Sequence, residues 1–259
     1  MLQRIGATRN DRFPLPYWLL IFDLDGTLID SSRDLCASVN ATLAHLGRPP
    51  LPDITIANFI GDGAAVLVAR SLRATAESAE RSVDPNAEAL LVYKALTYFL
   101  NYYHLHKLDT TVAYAGVLSA LNTIRDRYPE ILMAVLTNKP LDPSRDLCSA
   151  LGLSEFMFAI YGGDSFSTKK PHPEGLLAIM QEGRTRSPSL MASMIGFPGS
   201  GVVMVGDSPV DVLVARSAGV RSLGCRYGLC PEQLDLSAPD LVVNSPSEWI
   251  QVLESLASH

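Results

Sequence analysis

The sequence predicts an α/β fold, a doubly wound parallel sheet with a smaller all-helical domain inserted after its first strand. Three observations carry that expectation. Apolar runs of strand length recur along the chain and are continuous rather than alternating, which suits strands covered on both faces. Between them stand helix-length stretches with apolar residues at helical spacing, and strand alternating with helix is the pattern of a parallel sheet. From residue 31 to about 110 the rhythm breaks, because helical segments follow one another with no strand-like run between them.

The first strand is the run YWLLIF, and IFDLDGTLID (21–30) closes it with Asp23 and Asp25 beside Gly26. The insertion then reads as SSRDLCASVNATLAHLG, IGDGAAVLVARSLRA and NAEALLVYKALTYFLNYYHLHK, with GRPPLPD a loop inside it and LDTTVAYAG the return linker. These boundaries give a helical cap domain over 31–110 and a sheet domain over 1–30 and 111–259. The small domain is expected over the carboxyl ends of the strands, where open α/β folds bind ligands. Tyr98, Phe99, Tyr102 and Tyr103 read as its core. Four further strands follow, ILMAVLT (131–137), FMFAIYG (156–162), GVVMVGD (201–207) and VRSLGC (220–225), with DLVV (240–243) a shorter one. AGVLSALNTIRDR precedes the second strand as a helix; DPSRDLCSALG, HPEGLLAIMQEG and PVDVLVARSAG follow the second, third and fourth. The tail SPSEWIQVLESLASH reads as a last helix with a serine cap. Residues 181–201, QEGRTRSPSLMASMIGFPGSG, read as a surface excursion.

Composition narrows the function. With 259 residues, 47% hydrophobic and 19% charged, the chain can bury a substantial core and is too apolar to be disordered. A net charge of −6 gives no general attraction for nucleic acid or an anionic membrane, so any anionic ligand must be held by local positive groups. The four cysteines are scattered, and the closest pair, Cys225 and Cys230, lacks the spacing of a metal or redox clip. They read as reduced thiols. YWLLIF is too short for a membrane span, so a soluble, cytoplasmic protein is expected.

The candidate chemistry lies at strand ends. Two carboxylates about 4 Å apart repel by roughly 4 kcal/mol at an effective dielectric near 20, so Asp23 and Asp25 invite a cation, and hard oxygen donors suggest Mg2+. An Asp-Gly hairpin turn is the plain structural alternative for this stretch alone. VGDSPVD delivers Asp207 to the same edge, because parallel strands share their carboxyl ends. Capping accounts for Ser208, Pro209 and Asp211 at the next helix start, but not for Asp207. In LTNKP, Thr137 and Asn138 reach that edge with a hydroxyl and an amide that either bind phosphate oxygens or form a turn. TKKPHPEG supplies Lys169 and Lys170, and a lysine stiffened by Pro171 near carboxylates is more than a surface charge. His172 reads as a loop residue. His104 and His106, two apart on a helix, do not face each other as a metal pair would.

Taken in order, DLDGT, TN, KP and GDSPVD resemble the four motifs of the haloacid dehalogenase-like (HAD) phosphohydrolase superfamily, over nearly the whole chain after the first dozen residues. More narrowly, IGDGAAVLVARSL, GGDSFSTKKPHPEGLL and YGLCPEQLDLSAPDLVV resemble the bacterial phosphoglycolate phosphatases with a helical, C1-type cap. The sheet would then be the Rossmann-like HAD core. The resemblance implies that Asp23 attacks phosphorus and forms an aspartyl-phosphate, while Asp25 protonates the leaving alkoxide and then activates water. It implies Mg2+ held by the side chains of Asp23 and Asp207 and the backbone carbonyl of Asp25, with Asp211 acting from behind. Thr137, Asn138 and Lys170 would hold the phosphoryl oxygens, with backbone N–H groups of the loop that Gly26 and Thr27 continue. Lys170 is preferred to Lys169 because it directly precedes Pro171. Gly61, Asp62 and Gly63 would line the substrate pocket. Ala115 stands where relatives commonly have proline, a departure confined to the linker.

The implied activity is a phosphatase, a phosphoric monoester hydrolase for a small phosphorylated metabolite, with 2-phosphoglycolate first and other sugar or acid phosphates, or pyrophosphate, behind it. A dehalogenase would need neither metal nor Asp25. A phosphonatase would need a cap lysine near IGDGA, and the insertion offers Lys94 and Lys107 elsewhere. A phosphoglucomutase-like phosphotransferase usually carries an acidic residue where this chain has Gly206. A non-catalytic phosphate-binding regulator would not require both Asp23 and Asp25.

Overall fold

Six parallel strands build the sheet of the computed structural model, which describes residues 17–76, 85–186 and 201–255. In chain order they are β1 (Leu19–Phe22), β4 (Leu132–Leu136), β5 (Ala159–Tyr161), β6 (Val202–Gly206), β7 (Arg221–Cys225) and β8 (Leu241–Val243), arranged as β5-β4-β1-β6-β7-β8. The strands are continuous apolar runs because both faces are covered. On one face Leu20 and Phe22 pack with Val117, Leu121 and Ile124 of α5 (Val117–Arg127), Leu147 and Cys148 of α6 (Leu141–Ala150), and Trp249 of α10 (Trp249–Ser255). On the other, Leu19 and Ile21 meet Leu176 and Ile179 of α7 (Glu174–Arg186) and Val214 and Ala215 of α8 (Pro209–Ala218). The period-two alternation along β1 thus divides between two cores, which is the doubly wound arrangement.

Between β1 and β4 stand α1 (Ser32–His45), α2 (Asp53–Ala57), α3 (Ala64–Ala74) and α4 (Pro85–His106). They enclose a cluster of their own, in which Leu35, Val39 and Leu43 of α1 meet Leu67, Val68 and Leu72 of α3 and Phe99 and Tyr103 of α4. Phe99 and Tyr103 are core, as expected, but Tyr98 and Tyr102 are half-buried and stack with His45 and His106 instead. The return linker is more than a linker: β3 (Val112–Ala113) pairs antiparallel with β2 (Ile29–Asp30), so the segments entering and leaving the helices are joined. Two short helices, α2 and α9 (Pro231–Leu236), lie where no helix is expected, since five or six residues carry too little periodicity to read. The run FMFAIYG shortens to a three-residue strand because β5 is an edge strand, bonded to β4 alone. Most of the expected excursion at 181–201 lies outside the described residues, its first six residues completing α7. No helix among the described residues is long and apolar enough to cross a membrane.

The junction has a buried anchor. Asp34, in the first turn of α1 and 3% exposed, accepts hydrogen bonds from the backbone N–H and the hydroxyl of both Thr110 and Thr111. Burial alone would raise its carboxyl, but these donors outweigh it and hold it below the ordinary value. Asp34→Ala leaves the four donors without their acceptor and is expected to cost about 2–4 kcal/mol in denaturant unfolding. A depressed carboxyl stabilises above its unfolded value near 4 and is lost as pH falls through the folded value, so the wild type and the variant should converge in stability in acid.

Candidate active site

Register brings the strand ends together. Phe22 pairs with Val135 of β4 and Val205 of β6, so the residues just past each strand, Asp23, Thr137 and Asp207, emerge at one edge. Asp23, Asp207 and Asp211 are each 5% exposed or less, and their carboxylate oxygens lie within 4.8 Å of one another. Asp211 opens α8, where its Oδ2 accepts from the N–H and hydroxyl of Ser208 at 3.1 and 2.7 Å, a capping box completed by Pro209 in the first turn. Its Oδ1 accepts from Lys170 Nζ at 2.6 Å. Asp211 thus accepts three hydrogen bonds, one of them from an ammonium, and Asp207 accepts two. Asp207 is oriented by the Thr27 hydroxyl at 3.2 Å and the Leu229 N–H at 2.8 Å, and its carboxylate rests against Gly26, where any Cβ would overlap it. Gly26 also has φ +83°, a second reason for glycine there.

Lys170 is buried between Asp211 and Asp23, whose Oδ1 stands 2.9 Å away. The loop that delivers it is stapled by Glu174, which accepts from Ser167 and from the backbone and side chain of Thr168. Lys169 turns away, its ammonium bonding the Asp62 carbonyl at 2.5 Å. Burial pushes Asp23 up to about 6, with Lys170 opposing and Asp211 assisting, and carries Asp207 well above its ordinary value. Burial would lower Lys170, but Asp211 and Asp23 outweigh it, so the ammonium stays charged.

Asp25 is paired differently. Lys139 Nζ donates to both of its carboxylate oxygens, at 3.1 and 2.9 Å, and Ser31 Oγ donates to Oδ1 at 2.5 Å. Lys139 follows Asn138 in LTNKP, and reading that motif for a hydroxyl and an amide passes over it; a lysine three residues past β4 in an acidic chain is the available signal. Four acidic side chains meet two ammonium groups on this edge, so carboxyl oxygens are in excess. Hard oxygen donors in excess of the cations that face them fit a divalent cation.

Other expected contacts fall differently. Asn138 spends its amide hydrogens on the carbonyls of Gly61 and Lys170, both at 3.0 Å, so it bridges the insertion and the lysine loop instead of facing a phosphate; a motif cannot reveal which carbonyls will surround its amide. The N–H groups of Gly26 and Thr27 are likewise spent inside the turn, on Ile29 O at 2.9 Å and Leu24 O at 3.3 Å, because the chain folds back at once after Asp25. Thr137 remains at the cleft, its oxygen accepting from the Lys139 N–H at 3.3 Å. Gly61 and Gly63 line the cleft with Asp23, and Asp62 lines an adjoining cavity of about 540 Å3 that reaches Asp25, Asp207 and Arg70. His106 pairs with Asp109 at 2.7 Å, not with His104.

Sheet and site together define an open α/β domain with buried carboxylates gathered at the carboxyl edge of its strands, where they could hold a cation. Residues 20–225 match the model of the haloacid dehalogenase-like hydrolases, and the chain belongs to that family. A phosphoglycolate phosphatase from Pseudomonas putida is 37% identical over 228 residues, 87% of this chain and 76% of its own. One from Colwellia psychrerythraea is 33% identical over 210 residues, 81% and 84% of the two chains. The crystal structure of a predicted phosphoglycolate phosphatase from Haemophilus somnus is similar with a TM-score of 0.78 and 26% identity, over 92% of this chain and 98% of that one.

Proposed function

We propose that this protein is a Mg2+-dependent cytoplasmic phosphatase that hydrolyses 2-phosphoglycolate through an aspartyl-phosphate on Asp23. The observation that carries the reading is the pairing of buried Asp23 with Lys170 beside Asp207: the ammonium opposes burial and favours the ionised carboxylate that attack requires. In the first step Asp25 enters as a neutral carboxyl, an Asp23 oxygen bonds phosphorus, the ester P–O bond breaks, and the departing alkoxide takes the Asp25 proton, leaving Asp25 a carboxylate. In the second, water attacks the same phosphorus while Asp25 takes its proton, releasing orthophosphate and restoring Asp23. Lys170 and the Thr137 hydroxyl steady the phosphoryl oxygens, since phosphoryl transfer depends on positioning and charge neutralisation. The side chains of Asp23 and Asp207 and the carbonyl of Asp25 would hold Mg2+, whose charge, when bound, completes that neutralisation. Residues 31–110 act as a cap over the sheet edge, with Gly61, Asp62 and Gly63 in the pocket wall.

Two things favour 2-phosphoglycolate among small phosphates. The relatives above bear that substrate in their names. Arg70 is the one cationic side chain lining the 540 Å3 cavity among the described residues, held by Asp62 at 2.6 Å and placed to meet a substrate carboxylate. Phosphate release from a panel of phosphorylated metabolites, with and without Mg2+, tests the reading. Release without metal would remove the metal role, and 2-phosphoglycolate ranking below several sugar phosphates in kcat/KM would remove the substrate. A lost charge-assisted hydrogen bond is worth about 1.5–3 kcal/mol, so Arg70→Gln should lower kcat/KM for 2-phosphoglycolate roughly 10- to 100-fold and that for 2-hydroxyethyl phosphate far less.

A further inference from the structure

Lys139 has no part in the mechanism above, yet it is 6% exposed and lines the cleft. A buried ammonium needs a reason, because an ion pair away from water is a poor source of stability. Its surroundings supply one. Lys139 leaves the end of β4 two residues after Thr137, reaches Asp25 with two hydrogen bonds, and lies beneath the ring of Tyr103, 4.5 Å from its centroid. Tyr103 belongs to the last turns of α4, and Ser31, which donates to the same carboxylate, stands at the start of α1. Asp25 itself sits on the turn after β1, between Leu24 and Gly26.

We propose that Lys139, held under Tyr103, is a positioning residue that fixes Asp25 as it gives its proton to the leaving group and becomes the carboxylate that Lys139 pairs with, and ties that geometry to the seating of the helical insertion. This rests on the role proposed above for Asp25. A carboxylate on a turn can rotate, whereas proton transfer needs a heavy-atom approach of about 2.6–3.2 Å. Three donor contacts, two from the sheet side and one from the edge of the insertion, remove that freedom from the carboxylate that the transfer forms, and so favour the transfer. The ring over the ammonium restricts Lys139 in turn. An insertion that tilted away would carry Tyr103 and Ser31 with it and release the acid.

Leaving-group dependence tests this in the Mg2+-loaded enzyme. An alkoxide must be protonated as it departs, whereas p-nitrophenolate departs without an acid, and kcat/KM reports the steps through that cleavage. The ratio of kcat/KM for the best alkyl phosphate of the panel to that for p-nitrophenyl phosphate is therefore the readout, and a merely structural lysine would not move it. General acid catalysis contributes about 100- to 10,000-fold, so Asp25→Asn should lower the ratio within that range, Lys139→Met by roughly 30-fold or more, and Ser31→Ala by about 3- to 10-fold. Lys139→Arg, which keeps charge and donors, should recover part of the loss. Equal losses on both substrates in Lys139→Met and Ser31→Ala, with Asp25→Asn still selective, would overturn the positioning role and leave the acid in place. An unselective Asp25→Asn would overturn the acid, and this proposal with it. Thermal melts establish folding, and if Lys139→Met does not fold, Ser31→Ala decides on the same ratio.

Discussion

Asp23→Asn is expected to lower phosphate release by about 10,000-fold or more, because an amide of the same shape cannot form the acyl phosphate. The substitution keeps the volume of a side chain that is 5% exposed, and Lys170 retains Asp211 at 2.6 Å, so the fold should persist. Stability should even rise. Burial pushes the Asp23 carboxyl up to about 6, which means that at neutral pH the metal-free protein holds that charge at a cost. The metal-free variant should therefore melt at or above the wild-type temperature while its turnover is lost. Acid quenching during turnover should trap phosphate on the wild-type protein and none on the variant. A variant that keeps more than a hundredth of the activity would remove Asp23 as nucleophile.

The second large effect concerns the cation. A ligand at a hundred times its Kd stabilises by about 2.7 kcal/mol, and at about 2–4 °C per kcal/mol in a protein of this size Mg2+ should raise Tm by roughly 5–10 °C at pH 8. The gain should shrink toward pH 5.5. Asp23 has a folded value near 6, above its unfolded value near 4, so in the metal-free protein it contributes stability that is present at low pH and lost as pH rises through 6. Asp207 is raised as well and adds in the same direction. Metal binds the ionised carboxylates and competes with those protons, so its stabilisation grows with pH. Differential scanning fluorimetry with and without Mg2+ at several pH values measures the difference, in which groups remote from the metal, such as Asp34, cancel. A Tm gain independent of pH would place the ion elsewhere.

Much of this site was legible before any coordinates. Asp23, Thr137 and Asp207 each close a continuous apolar run, and runs alternating with helices force a parallel sheet, whose strands end on one edge. Lys170 followed from the proline after it and the charge around it. The donors were legible only in kind. That Asn138 carries an amide is plain from the chain, but that its hydrogens go to Gly61 and Lys170 depends on carbonyls 77 and 32 residues away. The Gly26 and Thr27 N–H groups were expected at the phosphate and are consumed by a tight turn whose closure has no periodic signature.

By itself, then, the sequence determined the sheet, its helical insertion and the edge at which the carboxylates gather, because apolar periodicity and strand polarity are properties of short stretches. The tertiary structure decided how those charges are shared: Lys170 to Asp23 and Asp211, Lys139 to Asp25 under Tyr103, Arg70 to Asp62. The physical reason is range. A side chain's partner is set by distances of about 3 Å between atoms that, for Lys139 and Asp25, are 114 residues apart in the chain.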